Sequence, residues 1–404
     1  MATIFGLNGG TQFIASGMLP IFLGTLAFVS NSRVGLIAAA TSLVTAAAQP
    51  IWGVMADRSK LKNRVLLITH LCIACVVWLL ILPDHKGFIT LLPAILILYS
   101  LVYIPMSLTD AIVVENLNKV RIRYGLIRSF SSVGSAIAAF MLFIFNGAVD
   151  ENPRYAYAIL FCTTLLSLIP LAFIPPTAGH ARKEKNIPAA GAASGGRRPT
   201  GFVPAGVIKN KRLVLLLAYG LFTFICVGCQ NTYFSMYYAT DRGLNAGVGM
   251  YGLLFTVCIA AEASVMLFGN KIYGKLNIYT VFTLIQLSAF LRSLVIYFAP
   301  NAYAMFIMAI FHGHLYGMLF LRVAPHIGGI VPDEARATGQ ACWSVMFMGL
   351  GPVIGSALGG LITLKYEIRD VFLFTAVAFL IIAAVFALLF RRQRAVDRAE
   401  GFVG

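Results

Sequence analysis

About a dozen apolar stretches, each close to twenty residues long and separated by short connectors, constrain this chain more than any other feature. Roughly twenty consecutive apolar residues span a bilayer as a helix. Of the 404 residues, 59% are hydrophobic and only 11% charged, against roughly 25% charged in a soluble domain. A soluble core of this apolarity would expose large adhesive patches, so the solvent for most of the chain is lipid. The expected fold class is an all-α membrane protein of twelve transmembrane helices.

Hydropathy places helices 1 to 6 at about 4–29, 34–56, 65–83, 89–113, 125–148 and 155–175, and helices 7 to 12 at about 213–238, 248–270, 276–298, 302–323, 338–364 and 371–391. Residues 1–175 form an N-terminal six-helix bundle in this reading, and residues 213–391 form a C-terminal one. Between them, 176–212 carries Arg182, Lys183, Lys185, Gly195, Gly196, Arg197, Arg198, Pro199 and Pro204, the composition of a flexible basic linker. Residues 392–404 are a polar tail. Helix 1 carries Asn8, Gly9, Gly10, Thr11 and Gln12; helix 7 carries Gly228, Gln230, Asn231 and Thr232. Both are first helices of a half, and both set amides among small residues. Two pseudo-symmetric six-helix halves suit a substrate site at mid-membrane where they meet.

The net charge of +16 would suggest nucleic acid in a soluble chain. Here the surplus lies in a few loops, and no groove-reading motif accompanies it. By our count about 22 Lys and Arg fall on one side of the membrane, including Arg58, Lys60, Lys62, Arg64, the linker and the tail, against about 6 on the other. The positive-inside rule puts both termini and the linker in the cytoplasm, with the chain in a plasma (bacterial inner) membrane. The seven cysteines all lie in apolar spans, and the CxxC pairs Cys72/Cys75 and Cys226/Cys229 read as small packing residues. No metal, cofactor, nucleic-acid partner or cleavable signal peptide is expected. No nucleophile–base pair suggests an enzyme. One chain is sufficient for a twelve-helix cycle, so a monomer is expected.

Four charges stand inside these apolar stretches: Asp110, Arg128, Glu262 and Arg292. Each costs at least about 2.5–3.5 kcal/mol at a helix centre. Their retention points to use, and the use expected of such groups is solute transport with proton coupling.

The loop after helix 2 reads Gly53-Val-Met-Ala-Asp57-Arg58-Ser-Lys60-Leu-Lys62. With twelve spans around it, this resembles the G-x-x-x-D-R/K-x-G-x-R/K signature of the major facilitator superfamily. Lys60 stands in place of the second glycine, and Asp57 could latch one gating state by pairing with basic groups. The stretches Pro105 to Asp110, Tyr124 to Gly134 and Glu262 to Met266, and the run Phe311-His312-Gly313-His314-Leu-Tyr-Gly317, resemble the lactose-permease-like branch. That branch includes oligosaccharide, nucleoside and phenylpropionate proton symporters.

The resemblance implies roles. Asp110 and Arg128, at similar depth on consecutive helices, match the acid and arginine that hold a hydroxylated substrate; Arg supplies a planar fork of donors and the carboxylate accepts from hydroxyls. Asn8, Gln12, Tyr103, Gln230, Asn231, Tyr233 and Trp343 are further candidates for substrate contact. Glu262, Arg292 and His312 are candidates for proton coupling, since a carboxylate in low dielectric can be neutral in one state and charged in another. The lactose-permease pattern has a glutamate three residues after the helix-10 histidine; Leu315 stands there, which leaves Glu262 or Asp110 to carry the proton. Gly53, Asp57, Arg58 and Lys62 are gating candidates. On helix 11, Gly351, Gly355 and Gly359 have the spacing that lets membrane helices approach closely. The expected function is proton-coupled symport of a sugar or oligosaccharide, with nucleosides or aromatic acids as the alternative. Drug or lipid export is disfavoured by two buried arginines.

Overall fold

The computed structural model describes residues 1–81, 88–117, 124–178, 210–332 and 336–399. All regular structure among them is helical. The spans are α1 (Ala2–Gly24), α2 (Asn31–Arg58), α3 (Lys62–Ile81), α4 (Leu91–Val113), α5 (Ile127–Ile144), α6 (Tyr155–Ala172), α7 (Lys211–Ala239), α8 (Val248–Tyr273), α9 (Ile278–Phe298), α10 (Ala304–Ile330), α11 (Thr338–Ile362) and α12 (Ile368–Ala399). Eleven of these are long and apolar enough to cross a membrane. The exception by composition is α1, where Asn8, Gly9, Gly10, Thr11 and Gln12 lower the hydropathy. Its 23 residues are nonetheless long enough to span, and Asn8 and Thr11 are turned inward, 3% and 5% exposed. Large apolar side chains such as Leu71, Trp78, Phe222, Leu267 and Ile272 are exposed, as lipid contact requires.

Several spans depart from straight helices for identifiable reasons. In α4 the helix lapses at Val102–Tyr103 and restarts at Ile104. Pro105 has no N–H to give and crowds the carbonyl of the residue four back. In α6 the break falls at Ser167, three residues before Pro170. The first turn of α10 is a 3-10 turn at Ala304–Ile307. In α11 a π-helical turn covers Val345–Leu350. The last helix, expected to stop at about 391, continues through Arg391, Arg392 and Arg394 to Ala399, because nothing after Phe390 breaks it. The loops holding Lys119, Arg121 and Arg123, and linker residues 179–209, lie outside the described residues.

The chain divides into two compact units: Met1–Phe22 with Ala40–Thr200, and Leu23–Ala39 with Gly201–Gly404. The units meet at 200/201, and the end of α1 and the start of α2 belong with the second unit. In the first unit, Ala48, Ala56, Val65, Leu66, Leu108 and Ile112 form a core. There α1 crosses α5 so closely that a Cβ on Gly9 would lie 2.2 Å from the Ser131 carbonyl oxygen, and one on Gly134 1.8 Å from that of Gly6. Only glycine permits this approach.

In the second unit Tyr219, Phe224, Phe282, Leu315, Met318 and Phe379 lie in the core. The Tyr219 and Phe282 rings stack at 5.1 Å, and the Tyr219 hydroxyl donates to the Phe282 carbonyl at 2.9 Å. Asn210 caps α7, accepting from the Arg212 and Leu213 amides at 3.0 and 3.3 Å. The α11 glycines pack on α7: a Cβ on Gly355 would stand 2.1 Å from the Ile225 carbonyl oxygen. Leu23–Ala39 is fastened to this unit by Arg242, in the turn after α7. Its Nη1 donates to Val29 O at 2.8 Å and Asn31 Oδ1 at 2.9 Å, and its Nη2 to Leu26 O at 3.0 Å. The Tyr233 hydroxyl adds a bond to Asn31 O at 2.9 Å.

Candidate functional site

Among the described residues, each unit sets charged side chains between apolar helices. In the first, Arg128 Nη1 on α5 donates to Asp110 Oδ2 on α4 at 2.6 Å, with side chains 36% and 29% exposed. The guanidinium carbon also lies 5.6 Å from the Phe5 ring centroid on α1, within cation–π range. The expected pairing of consecutive helices is therefore present, and it remains accessible. Tyr103 is half-buried and its hydroxyl pairs with the Ser16 side chain. Gln12 is half-buried one turn from Asn8. Asn8 is almost wholly buried, donating through Nδ2 to Thr109 Oγ1 at 3.1 Å and facing His70 Nε2 through Oδ1 at 3.0 Å. It ties α1 to α3 and α4. Neither His70 nor Thr109 stood out in the sequence, because one apolar-flanked histidine has no local pattern to mark it.

At the end of α2 the signature loop is a short turn with no left-handed residue. The positive backbone angles among the described residues are at Asn245 and Gly247, so Lys60 fills the glycine position without strain. Lys62 is nearly buried, 4% exposed, and bridges Asp57 Oδ1 at 2.9 Å and Glu115 Oε1 at 2.6 Å. Asp57 is half-exposed and Arg58 exposed. Gly53 has open space where a Cβ would stand. Glu115, two residues past the end of the α4 span, was not foreseen as Lys62's partner.

In the second unit Arg292 on α9 is fully buried. Its Nη1 donates to Gln230 Oε1 at 2.5 Å, and its guanidinium carbon lies 5.7 Å from the Phe234 centroid. Its Nε and Nη2 have no acceptor. The other end of the Gln230 amide donates to Ser293 Oγ at 2.5 Å and Thr375 Oγ1 at 2.8 Å. Gln230, expected at the substrate, is 0% exposed and bonded to Arg292, Ser293 and Thr375. Tyr233, likewise 0% exposed, is committed to Asn31 and Thr363. Trp343 is half-buried, its ring 5.2 Å from that of Phe224 and set over Gly220.

Asn231 is exposed and donates to the Tyr316 hydroxyl at 3.2 Å. The His312 ring lies 4.6 Å from that of Tyr316 and 5.7 Å from Phe255, and its Nδ1 is buried without a partner. Glu262 on α8 is half-buried. Among the described residues neither Glu262 nor Arg292 is in an ion pair. The charges of both act on Cys258 and Tyr316, so they share one neighbourhood without touching. A carboxylate, a guanidinium with two empty donors and an unpartnered imidazole nitrogen thus lie within one bundle.

Comparison with known proteins agrees with this layout. The family model described as MFS_1 like family matches residues 17–389. The chain is 24% identical to the maltose permease of Geobacillus stearothermophilus over 398 residues, 97% of this chain and 95% of that protein. It is 25% identical to the uncharacterized transporter YwbF of Bacillus subtilis (strain 168) over 349 residues, 85% of this chain and 81% of that one. Its fold matches the crystal structure of the nucleoside transporter NupG with a TM-score of 0.72 at 16% identity, covering 96% of this chain and 98% of that one. A POT family transporter in complex with 5-aminolevulinic acid matches with a TM-score of 0.74 at 12% identity, covering 97% and 96%.

Proposed function

The chain belongs to the MFS_1 like family and is a multi-pass membrane transporter of the major facilitator type, not an enzyme; on that premise we propose that it is a proton-coupled symporter that imports a small hydroxylated solute, a sugar or oligosaccharide first. The observation that carries this reading is the Asp110–Arg128 pair. A 2.6 Å ion pair left about one-third exposed within apolar helices offers acceptors and a fork of donors to hydroxyl groups. The maltose permease likeness, which runs nearly end to end, supports the sugar class.

Asn231, exposed beside Tyr316, supplies an amide of the kind that reads hydroxyls, and Gln12 and Tyr103 stand on half-buried faces. Glu262 carries the proton. With no ion pair to fix its charge, it can be neutral while loaded and ionised when a cation approaches. Arg292, with two donors unfilled, is that cation once the helices move. Asp57, Lys62 and Glu115 hold one gating state. The basic loops face the cytoplasm, as do both termini, in a plasma (bacterial inner) membrane.

The test has two arms. Purified protein is screened by thermal shift against maltose and other sugars, nucleosides and aromatic acids, with stabilisation expected from a sugar and lost in Arg128→Gln. Uptake of the stabilising solute into proteoliposomes is then driven by an imposed proton gradient. Accumulation abolished by a protonophore supports coupling; full gradient-driven accumulation by Glu262→Gln overturns that residue as carrier.

A further inference from the structure

The first unit buries a histidine that the transport reading leaves unused. His70 on α3 is 2% exposed, and the hydrogens around it can be assigned from its partners. Its Nδ1 lies 2.8 Å from the Leu66 carbonyl oxygen. A carbonyl only accepts, so Nδ1 carries a hydrogen. Its Nε2 lies 3.0 Å from Asn8 Oδ1. The Asn8 Nδ2 donates to Thr109 Oγ1 at 3.1 Å, and the Thr109 hydroxyl donates to the Pro105 carbonyl at 2.6 Å. Thr109 has a single hydrogen, spent on Pro105, so toward Asn8 it can only accept. With that hydrogen on Pro105, the amide sets its NH2 on Thr109 and its oxygen on His70. An amide oxygen only accepts, so in this arrangement Nε2 carries a hydrogen too. Two ring N–H donors make an imidazolium.

Loss of one proton leaves one other arrangement in which the contacts from Leu66 through His70 and Asn8 to Thr109 are all still hydrogen bonds, and only the Thr109–Pro105 bond is given up. With Nε2 bare, the Asn8 amide turns its NH2 to His70 and its oxygen to Thr109. The Thr109 hydroxyl then leaves Pro105 and donates to Asn8. We propose that His70 is a proton-binding site of this unit, and that the Asn8 amide and the Thr109 hydroxyl report its occupancy as a bond made to, or withdrawn from, the Pro105 carbonyl. Uptake adds one proton and one positive charge to the ring, and the relay reverses direction with no other bond formed or broken.

The place of this relay gives it consequence. Pro105 follows the α4 break at Val102–Tyr103, and Thr109 immediately precedes Asp110. A proton on His70 therefore acts on the stretch of α4 that positions the Asp110–Arg128 pair. That last link rests on the substrate role proposed for the pair; the proton site itself does not. Among the described residues no carboxylate lies within ion-pair distance of His70. On the elements around it, α1 offers no titratable side chain; α2 offers Arg33, Asp57 and Arg58; α4 offers Tyr99, Tyr103 and Asp110, with Glu115 just past its end; α6 offers Tyr155, Tyr157 and Cys162. Its own helix adds Lys62, Arg64, Cys72 and Cys75. The charge thus rests on two neutral acceptors, Leu66 O and Asn8 Oδ1.

The full chain in lipid nanodiscs, labelled with 15N-histidine, is followed by long-range 15N–1H spectra from about pH 5 to about pH 9, the range in which histidine charge changes. His70→Gln assigns the His70 signals among the six histidines. The expected result is a ring protonated on both nitrogens at the acid end and on Nδ1 alone at the alkaline end. Asn8→Leu removes the Nε2–H acceptor and is expected to lower the ratio of protonated to neutral ring about tenfold at fixed pH; Asn8→Asp, of the same size, is expected to raise that ratio at least tenfold. A ring that keeps Nε2 bare throughout overturns the site. Occupancy unchanged in Asn8→Asp overturns the relay, and does so even if Asn8→Leu fails to fold. No substrate or gradient enters these spectra, so a transporter that proves uncoupled from protons leaves them standing. A His70 that never binds a proton leaves Glu262 untouched as carrier.

Discussion

Replacing Arg242 by alanine isolates what holds Leu23–Ala39 to the second unit. The guanidinium makes three hydrogen bonds, at 2.8, 2.9 and 3.0 Å, to Val29 O, Asn31 Oδ1 and Leu26 O. Bonds to a charged donor contribute about 1.5–3 kcal/mol each, and the side chain is part-exposed, so the lower end applies. The three together give about 4 kcal/mol toward keeping this segment docked. At 1.4 kcal/mol per tenfold, local opening becomes roughly a thousandfold more populated in Arg242→Ala. Hydrogen–deuterium exchange reads this directly, since exchange through local opening scales with that population. The amides of Leu26, Val29 and Val34, bonded within the segment at 3.0–3.2 Å, are expected to exchange about 100- to 1,000-fold faster, while those of α3 keep their rates. Arg242→Lys, with one compact ammonium in place of the fork, is expected to fall between. Protection within about threefold of the parent would refute the reasoning and move the docking energy to Tyr233 and apolar contact.

Gln230→Leu leaves the buried Arg292 with no acceptor; a loss of about 3–5 kcal/mol is expected in thermal unfolding, with solute affinity per folded molecule unchanged. Lys62→Met abandons Asp57 and Glu115 around a nearly buried position, and is expected to lower stability by about 3 kcal/mol, more than Lys60→Met at the exposed neighbour. Gly355→Leu drives a side chain into the Ile225 carbonyl across α7 and α11; a melting point lowered by several degrees, or failure to fold, is expected, and an unchanged one would contradict the crossing.

Much of the fold was legible because the rule behind it is local. A run of twenty apolar residues reads as a span without reference to tertiary contact. The Asp110–Arg128 pair was legible for the same reason: consecutive helices and similar depth leave few other partners. What stayed hidden depends on rotation about a helix axis. Gln230 and Asn231 are neighbours in sequence, yet one is sealed around Arg292 and the other faces outward to Tyr316, and hydropathy says nothing of which. Asn8, His70 and Thr109 lie 62 and 101 residues from one another in chain order, measured from Asn8. Only packing joins them. Pro105 could have marked the α4 break, since the missing N–H is a sequence fact.

The π-helical turn at Val345–Leu350 carries one residue more than an ordinary helical turn would. An α-helix advances about 100° per residue, so a deletion within uninterrupted α9 swings every later side chain to a new face. A deletion inside 345–350 instead converts the wide turn to a regular one and leaves both flanks in register. Length variation in this chain should therefore be tolerated at that one turn of α11, and single-residue deletion scanning would find it as an island of retained fold amid positions that lose it.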